Sequence, residues 1–186
     1  MAEADRERWD RRYRAGSHAG LELPGWLDEF DRELPASGRG LDVAAGAGRV
    51  ALWLARRGLE TTAVDVSPEA IRLCRENADA AGLRLSTRLL DLEREALPEG
   101  PFDLIACFSY LQRDLFLELR RRLAPGGCLV CELPTRRNLE RHPRPGPRFL
   151  LEINELLELV APLELVYYRE AWIDDRALAR VVARSG

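Results

Sequence analysis

Three aspartates and a short glycine loop are the residues whose types and spacing could do chemistry. The loop AAGAG at 44–48 follows an apolar run, and Asp42 lies four residues before Gly46. Asp65 follows a second apolar run, 19 residues after Gly46, and Asp91 follows a third. The glycines allow a backbone to approach a ligand closely, and a carboxylate about 20 residues later typically binds ribose hydroxyls. The pattern indicates a nucleoside-containing cofactor, although a tight turn without a ligand is the alternative.

The charges around the loop distinguish between cofactors that share a ribose. The pyrophosphate of NAD would be repelled by Asp42 and attracted by Arg49. S-adenosylmethionine brings an ammonium and a sulfonium that Asp42 would attract, and a carboxylate that Arg49 or helix N–H groups could bind. Asp91 adds a third acid at the same edge, with an N-cap for the next segment as its alternative role. The charges favour S-adenosylmethionine.

The elements that must position these residues alternate along the chain. Apolar runs that predict strands lie at 40–45, 60–66, 84–92, 102–108 and 127–133, and helical patterns follow the first, second and fourth of them at 48–58, 67–82 and 109–124. Such alternation predicts parallel strands joined by right-handed crossovers, with helices on both faces of the sheet. The sequence therefore predicts an α/β, doubly wound, Rossmann-like fold.

The two ends of the chain depart from this alternation. The proline-containing segment 135–148 predicts a loop, 149–161 a helix, and 163–173 and 177–186 two final strands that form an antiparallel hairpin. This completes a mostly parallel seven-stranded sheet. Two helices are expected at 6–16 and 25–34, which either dock on the core or place Trp9, Tyr13 and Arg14 over the cofactor crevice.

Length and composition fit one domain. We expect a single domain over 1–186, divided into an N-terminal helical cover at 1–38, a cofactor-binding core at 39–133, and the loop, helix and final strands at 134–186. The chain is 46% hydrophobic and 32% charged, without an apolar run long enough to span a bilayer and without the apolar core of a signal peptide near its start. Four cysteines among apolar neighbours suit reduced thiols and a cytoplasmic location.

Charge and cysteine spacing argue against nucleic acid, membrane and metal as partners. All 28 basic residues are arginines interleaved with acids, and the run 120–122 suits a solvated helix end. Cys128 and Cys131 have metal-ligand spacing but would face opposite sides of a strand. We expect a small-molecule partner and no metal, and the sequence leaves the oligomeric state open.

Five segments in register resemble the ordered motifs of class I S-adenosylmethionine-dependent methyltransferases. They are LDVAAGAGR at 41–49, AVDVSPEAI at 63–71, LLDLE at 89–93, FDLIACFSYL at 102–111 and LAPGG at 123–127. ERWDRRYRAG near the start and PRFLLEINELLELV at 147–160 further resemble the small bacterial tellurite-resistance and thiopurine methyltransferase-like group. The chain departs from its relatives at Ala44, usually glycine, at Val50, often histidine, and at Ile153, commonly proline.

The resemblance implies a role for each matching position. The methionine part of S-adenosyl-L-methionine would bind at the glycine loop, the ribose at the acid after the second strand, and the adenine beside Val66 and the pair after the third strand. The implied cofactor-binding residues are Asp42, Ala44, Gly46, Gly48, Asp65, Val66, Asp91, Leu92 and Phe108. Trp9, Tyr13 and Arg14 of the N-terminal helix are added as candidates from their position over the crevice. The segment 108–110 would face the methyl group and the acceptor.

Methyl transfer to a small-molecule nucleophile by in-line displacement is the function that this implies. Alignment can supply much of the rate, and a thiol or metalloid oxyanion needs little help from a base. His18 and His142 lie in irregular segments, and no catalytic residue is identified. Candidate substrate contacts are Tyr110, Arg113, Arg144 and Arg148, because arginines can hold an anion bidentately.

Two alternatives stay open at the level of the sequence. A non-catalytic S-adenosylmethionine-binding or regulatory module would share the loop and the acids, and an NAD(P)-dependent oxidoreductase would share the loop and the ribose acid. The segment CFSY at 107–110 differs from the Asn/Asp-Pro-Pro-Tyr sequence of many methyltransferases that act on amide or exocyclic amino nitrogens. This difference favours a small molecule over DNA adenine or protein glutamine.

Overall fold

The computed structural model describes residues 2–16, 22–23 and 25–186. Its helices and strands follow one another along the chain in the order α1 (Ala2–Arg14), β1 (Arg39–Val43), α2 (Arg49–Arg56), β2 (Glu60–Asp65), α3 (Pro68–Ala80), β3 (Ser86–Leu89), β4 (Phe102–Phe108), α4 (Leu115–Arg121), β5 (Leu123–Pro134), α5 (Glu155–Val160), β6 (Glu164–Ile173) and β7 (Arg176–Arg184). Short 3₁₀ helices lie at Gly25–Phe30, Arg136–Glu140 and Pro147–Phe149.

The strands form one seven-stranded sheet in the order β3-β2-β1-β4-β5-β7-β6. Strands β1 to β5 run parallel, and β7 pairs antiparallel with both β5 and β6. The predicted fold class is confirmed, including the final hairpin. The strand order reverses between β1 and β4, and in open α/β sheets ligands bind at that point, at the carboxyl ends of the strands.

Apolar side chains fill both faces of the sheet. On one face, Ile105, Leu129 and Val181 pack with the helices α4 and α5, and on the other, Leu104, Val130 and Val182 pack with α2 and the 3₁₀ helix at Gly25–Phe30. Cys131 belongs to the first cluster and Cys128 to the second, as the alternation of a strand requires. The CxxC spacing therefore does not bring the two thiols together.

The helix predicted over 109–124 is shorter than its pattern. Leu111, Leu115, Leu119 and Leu123 are all buried in one cluster, but only Leu115 and Leu119 lie in α4. Leu123 begins β5 and pairs with Phe102. The apolar spacing therefore predicted the burial of these leucines correctly but predicted too long a helix. Leu111 reaches the same core from irregular backbone before α4, and Leu123 reaches it from β5.

The region between β5 and β6 also differs from its prediction. Residues 135–148 contain the 3₁₀ helix Arg136–Glu140 and the start of a second one, Pro147–Phe149, rather than loop alone. The helix predicted over 149–161 is confined to Glu155–Val160. The reason is that Leu151 pairs with Thr135 in an isolated bridge, which holds residues before α5 in extended backbone. The helix predicted over 25–34 is a 3₁₀ helix over its first six residues, Gly25–Phe30. None of the helices in the described ranges has the length and hydropathy that a membrane span requires.

Candidate cofactor-binding site

A cleft of about 1500 Å³ lies at the carboxyl ends of β1, β2 and β4, where the strand order reverses. Its floor is formed by the segment after β1, its sides by the segments after β2, β3 and β4, and its roof by α1 and residues 143–149. Most of the residues predicted for the site line it: Trp9, Tyr13, Asp42, Ala44, Gly46, Asp65, Val66, Asp91, Leu92, Phe108, Tyr110, Arg144 and Arg148.

The glycine loop uses its two glycines for different purposes. Both have positive φ angles, 56° at Gly46 and 90° at Gly48. A Cβ on Gly46 would collide with the Tyr13 hydroxyl in the cleft, whereas a Cβ on Gly48 would lie 2.6 Å from Cys74 Sγ and 3.3 Å from Cys74 Cα. Gly48 does not line the cleft. Gly46 therefore keeps the cleft open, and Gly48 allows α2 to pack closely against α3.

Two residues other than glycine adopt left-handed backbone beside the cleft. Ala44 has a φ of 56° directly after β1, and Ser109 has a φ of 57° directly after β4. Both line the cleft. Such conformations cost about 1–3 kcal/mol and concentrate at ligand-binding sites, where the surrounding structure maintains them. The usual glycine of the methyltransferase motif at position 44 has its physical reason in this φ.

Asp42 is a buried carboxyl with an unsatisfied oxygen. Its side chain is 1% exposed, and Oδ2 has no hydrogen-bond partner within the described part of the chain. Burial raises the pKa of Asp42 to about 8, the Ala51 N–H lowers it, Asp65 raises it, and Arg49 lowers it. A buried carboxylate without a cationic partner is costly, and an adjacent ammonium would relieve that cost.

Asp65 is held rigidly at the end of β2. The backbone N–H of Gly46 donates to its Oδ2 at 2.8 Å, and the backbone N–H of Ser67 donates to its Oδ1 at 2.9 Å. Burial raises the pKa of Asp65, although these N–H groups oppose the rise. The carboxylate thus ties the glycine loop to the start of α3, and each oxygen retains a lone pair that can accept from a ribose hydroxyl.

Asp91 makes the capping contact that the sequence allows and also lies at the cleft. Its Oδ1 accepts from the Glu93 N–H at 3.0 Å, as in a capping turn, and its side chain also lines the cleft. Nearby, Gln112 Nε2 donates to the Leu92 carbonyl at 3.1 Å, and Gln112 Oε1 accepts from the Tyr110 hydroxyl at 2.6 Å. Gln112 therefore links the wall after β3 to the wall after β4.

Phe108 is supported from behind by a buried polar pair. Its ring stacks on Trp26 with centroids 6.4 Å apart, and the Trp26 indole N–H donates to Glu132 Oε2 at 3.0 Å. Arg180 donates to the same oxygen at 2.8 Å. These contacts between the 3₁₀ helix at Gly25–Phe30 and strands β4, β5 and β7 fix the cleft wall at the end of β4.

Helix α1 lies across the cleft and is anchored at α3. Asp10 accepts from the Ser67 hydroxyl and, at 3.2 Å, from the backbone N–H of Glu69. Tyr13 lies over Gly46, and burial, together with Asp65 and Asp42, raises the pKa of its hydroxyl. The Arg8 guanidinium lies 5.7 Å from the centre of the Phe149 ring, which joins the two halves of the roof.

Several candidates lie away from the cleft. Arg113 binds Glu155 and the carbonyls of Arg148 and Leu150, so its guanidinium is occupied by α5 and the segment before it. Arg14 is exposed, and its Nη2 lies 3.8 Å from Asp10 Oδ2. His142 contacts the backbone and side chain of Asp175, outside the large cleft, and His18 lies outside the described residues.

The cleft also contains residues that the sequence reasoning did not select. Those with polar or aromatic side chains include Arg8, Arg12, Glu93, Gln112, Phe149 and Arg176. Arg8 and Arg12 lie one helical turn apart beside Trp9, a spacing that the sequence does display. Arg176 offers no such signal, because the hairpin of β6 and β7 brings it to the cleft from far along the chain.

Comparison with known proteins agrees with this geometry. Residues 41–127 match the family model described as a methyltransferase domain. A ubiquinone biosynthesis O-methyltransferase of Xylella fastidiosa is 38% identical over 92 residues, covering 48% of this chain and 37% of the relative. A ribosomal protein L11 methyltransferase of Bordetella parapertussis is 38% identical over 119 residues, covering 62% and 36%. The aligned regions thus span less than two fifths of these relatives.

A solved structure extends the likeness to nearly the whole fold. TehB from Haemophilus influenzae superposes with a TM-score of 0.73 at 22% identity, over 94% of this chain and 66% of that one. The chain therefore has the fold of S-adenosylmethionine-dependent methyltransferases. The match to a methyltransferase domain, over residues 41–127, covers slightly less than half of the chain, and S-adenosyl-L-methionine is the cofactor of that class of proteins.

Proposed function

We propose that the protein transfers a methyl group from S-adenosyl-L-methionine to a small-molecule nucleophile. The observation that carries the proposal is the unsatisfied Oδ2 of Asp42, which is buried at the floor of the cleft below the glycine loop. A pyrophosphate would add negative charge beside two buried acids, whereas an ammonium would give Asp42 the partner that the described residues do not provide.

The residues present fit the cofactor in an ordered way along the sheet edge. Asp42 would bind the cationic methionine end and Asp65 the ribose, while Val66, Asp91 and Leu92 would flank the adenine. When bound, the cofactor would supply a methyl group on a cationic sulfur. The acceptor would bond to the methyl carbon in line with that sulfur, which is the leaving group. Helix α1 would cover the cleft and exclude water, since Tyr13 already lies over the loop.

The cleft favours an acceptor that is nucleophilic by itself. At about 1500 Å³ it exceeds the roughly 300–1000 Å³ of an ordinary ligand site, which leaves room for an acceptor beside the cofactor. Burial raises the pKa of the Tyr110 hydroxyl, which donates to Gln112, so this group stays protonated and is not a base. No histidine of the described residues lines the cleft. A thiol or metalloid oxyanion suits such a site, because neither needs a strong base.

The test is transfer of an isotopically labelled methyl group from S-adenosylmethionine by the purified protein. The acceptors are a panel of thiols, selenite, tellurite and a metabolite extract, and labelled product should appear with at least one of them. The Asp42→Asn variant should lose cofactor affinity, whereas Asp79→Asn, on the exposed end of α3, should not. Tight cofactor binding without transfer to any acceptor would instead indicate a non-catalytic module. NAD(P)H binding that survives in Asp42→Asn would indicate an oxidoreductase.

A further inference from the structure

Acidic and basic side chains line the cleft at different strands of the sheet. Asp42, Asp65 and Asp91, at or just after the ends of β1, β2 and β3, would lie beside the proposed cofactor, and Arg49 lies near Asp42. Arg144, from the segment after β5, and Arg176, at the start of β7, line the cleft beyond β4; we call them the outer arginines. A cation and an anion bound side by side would match this division, because each would lie beside charges of the opposite sign.

Arg144 and Arg176 are available to bind a ligand. Both are exposed, and within the described part of the chain neither guanidinium has a hydrogen bond or an ion pair. Neighbouring arginines differ: Arg136 pairs with Glu152 at 2.6 Å, and Arg141 lies 3.5 Å from Asp175. Glu152 and Asp175 are thus already shared with other cations.

Arg144 and Arg176 also line a second cavity. A smaller cavity of about 450 Å³ adjoins the large cleft, and Arg144 and Arg176 line both. The backbone beside Arg176 is fixed by Asn138, whose buried amide accepts from the Ala177 N–H at 3.2 Å and donates to the Thr135 carbonyl at 2.9 Å. Arg144 and Arg176 therefore lie where the two cavities meet.

We propose that the methyl acceptor is an organic anion, and that Arg144 and Arg176 bind its carboxylate or phosphate group while its nucleophilic atom points toward Phe108. Two guanidinium groups can bind such a group through paired N–H donors. This inference rests on the proposed function, since it names the substrate class of the same cleft. It gives the outer arginines a role in selecting the acceptor and none in binding the cofactor.

The test uses a matched pair of aromatic thiols, 4-mercaptobenzoate and 4-mercaptobenzyl alcohol, which carries an uncharged hydroxymethyl group in place of the carboxylate. Calorimetry measures their binding to the full chain saturated with S-adenosylhomocysteine. We expect the acid to bind at least tenfold more tightly, a difference of about 1.4 kcal/mol. Arg144→Gln and Arg176→Gln should each remove most of that preference. The control Arg169→Gln, an exposed arginine on the edge strand β6, should retain it.

Methyl transfer measured on the same proteins separates this inference from the proposed function. With 4-mercaptobenzoate, the two arginine variants should raise KM at least tenfold and leave kcat within twofold. The thiol loses its proton to solvent, and its sulfur forms the new bond to carbon as the bond between methyl and sulfonium breaks. Equal binding of both thiols to the unmodified protein would overturn the anion site even if transfer occurs. Arginine-dependent binding of the acid, with no transfer to it or to any acceptor of the panel described above, would uphold the anion site and overturn the proposed function.

Discussion

Replacing Asp42 with asparagine should stabilise the fold and weaken cofactor binding at the same time. The carboxyl has a pKa of about 8 in the folded protein and an ordinary value of 3.8. Between these values the folded chain retains a proton that the unfolded chain has lost, so the free energy of unfolding falls as the pH rises. Each pH unit costs up to about 1.4 kcal/mol. Asparagine is neutral at every pH in this range, so the free energy of unfolding of the variant does not fall in this way.

The magnitude follows from the two pKa values. The ordinary pKa of 3.8 lies about 3 units below pH 7, so burying the Asp42 carboxyl lowers the free energy of unfolding at pH 7 by at most about 4 kcal/mol. We expect Asp42→Asn to raise the free energy of unfolding at pH 7 by about 2–4 kcal/mol. Near pH 4 both side chains are neutral, and the two proteins should have nearly equal stability. Burial accounts for most of the raised pKa, with Asp65 adding to it and Ala51 and Arg49 opposing it.

Urea unfolding of the unmodified protein and the variant between pH 4 and pH 8 measures this difference. Asp79→Asn on the exposed surface is the matched control. Its difference in free energy of unfolding from the unmodified protein should not increase with pH. A variant that is destabilised at every pH, or whose stability difference does not grow between pH 5 and pH 8, would refute the assignment of Asp42 as a buried carboxyl without a counterion.

Two further substitutions separate the purposes of the loop and the cover. Gly48→Ala places a Cβ against Cys74 at a φ of 90°, so we expect a loss of about 2–4 kcal/mol in thermal or urea unfolding. Ala47→Gly is its control in the same loop, and a Gly48→Ala variant of normal stability would contradict the packing role. Asp10→Ala removes the acceptor that anchors α1 to α3. It should speed hydrogen exchange in α1 and raise the dissociation rate of S-adenosylhomocysteine, and unchanged rates in both would show that α1 is held by other contacts.

The sequence predicted the parts of the fold that local patterns determine. Helix α3 has a Ser67 N-cap, Pro68 at its first position and Gly82 beyond its end, and it forms as predicted because each end signal acts within a few residues. Alternation of strands and helices predicted the parallel, doubly wound part of the sheet. The helix around α4 was overestimated, because the apolar spacing of Leu111 to Leu123 reflects a shared core rather than one continuous helix.

The candidate site was predictable where its residues follow strand ends. Asp42 and Asp65 lie in the last two residues of β1 and β2, and Asp91 lies two residues after β3, so their convergence follows from the parallel topology. Two features depended on tertiary structure. Arg113 has a guanidinium that could bind an anion, but it already binds the Glu155 carboxylate. Arg176 reaches the cleft only through the hairpin of β6 and β7. Which arginine pairs with which carboxylate depends on side-chain packing, which periodicity does not encode.

The most direct test of the account is calorimetric titration of the purified protein with S-adenosylmethionine at pH 7 in two buffers of different ionisation enthalpy. Asp42 is mostly protonated at this pH and would lose its proton as a cation binds beside it. We predict one binding site per chain and release of about one proton, with the release abolished in Asp42→Asn. No binding, or binding without proton release, would contradict the account.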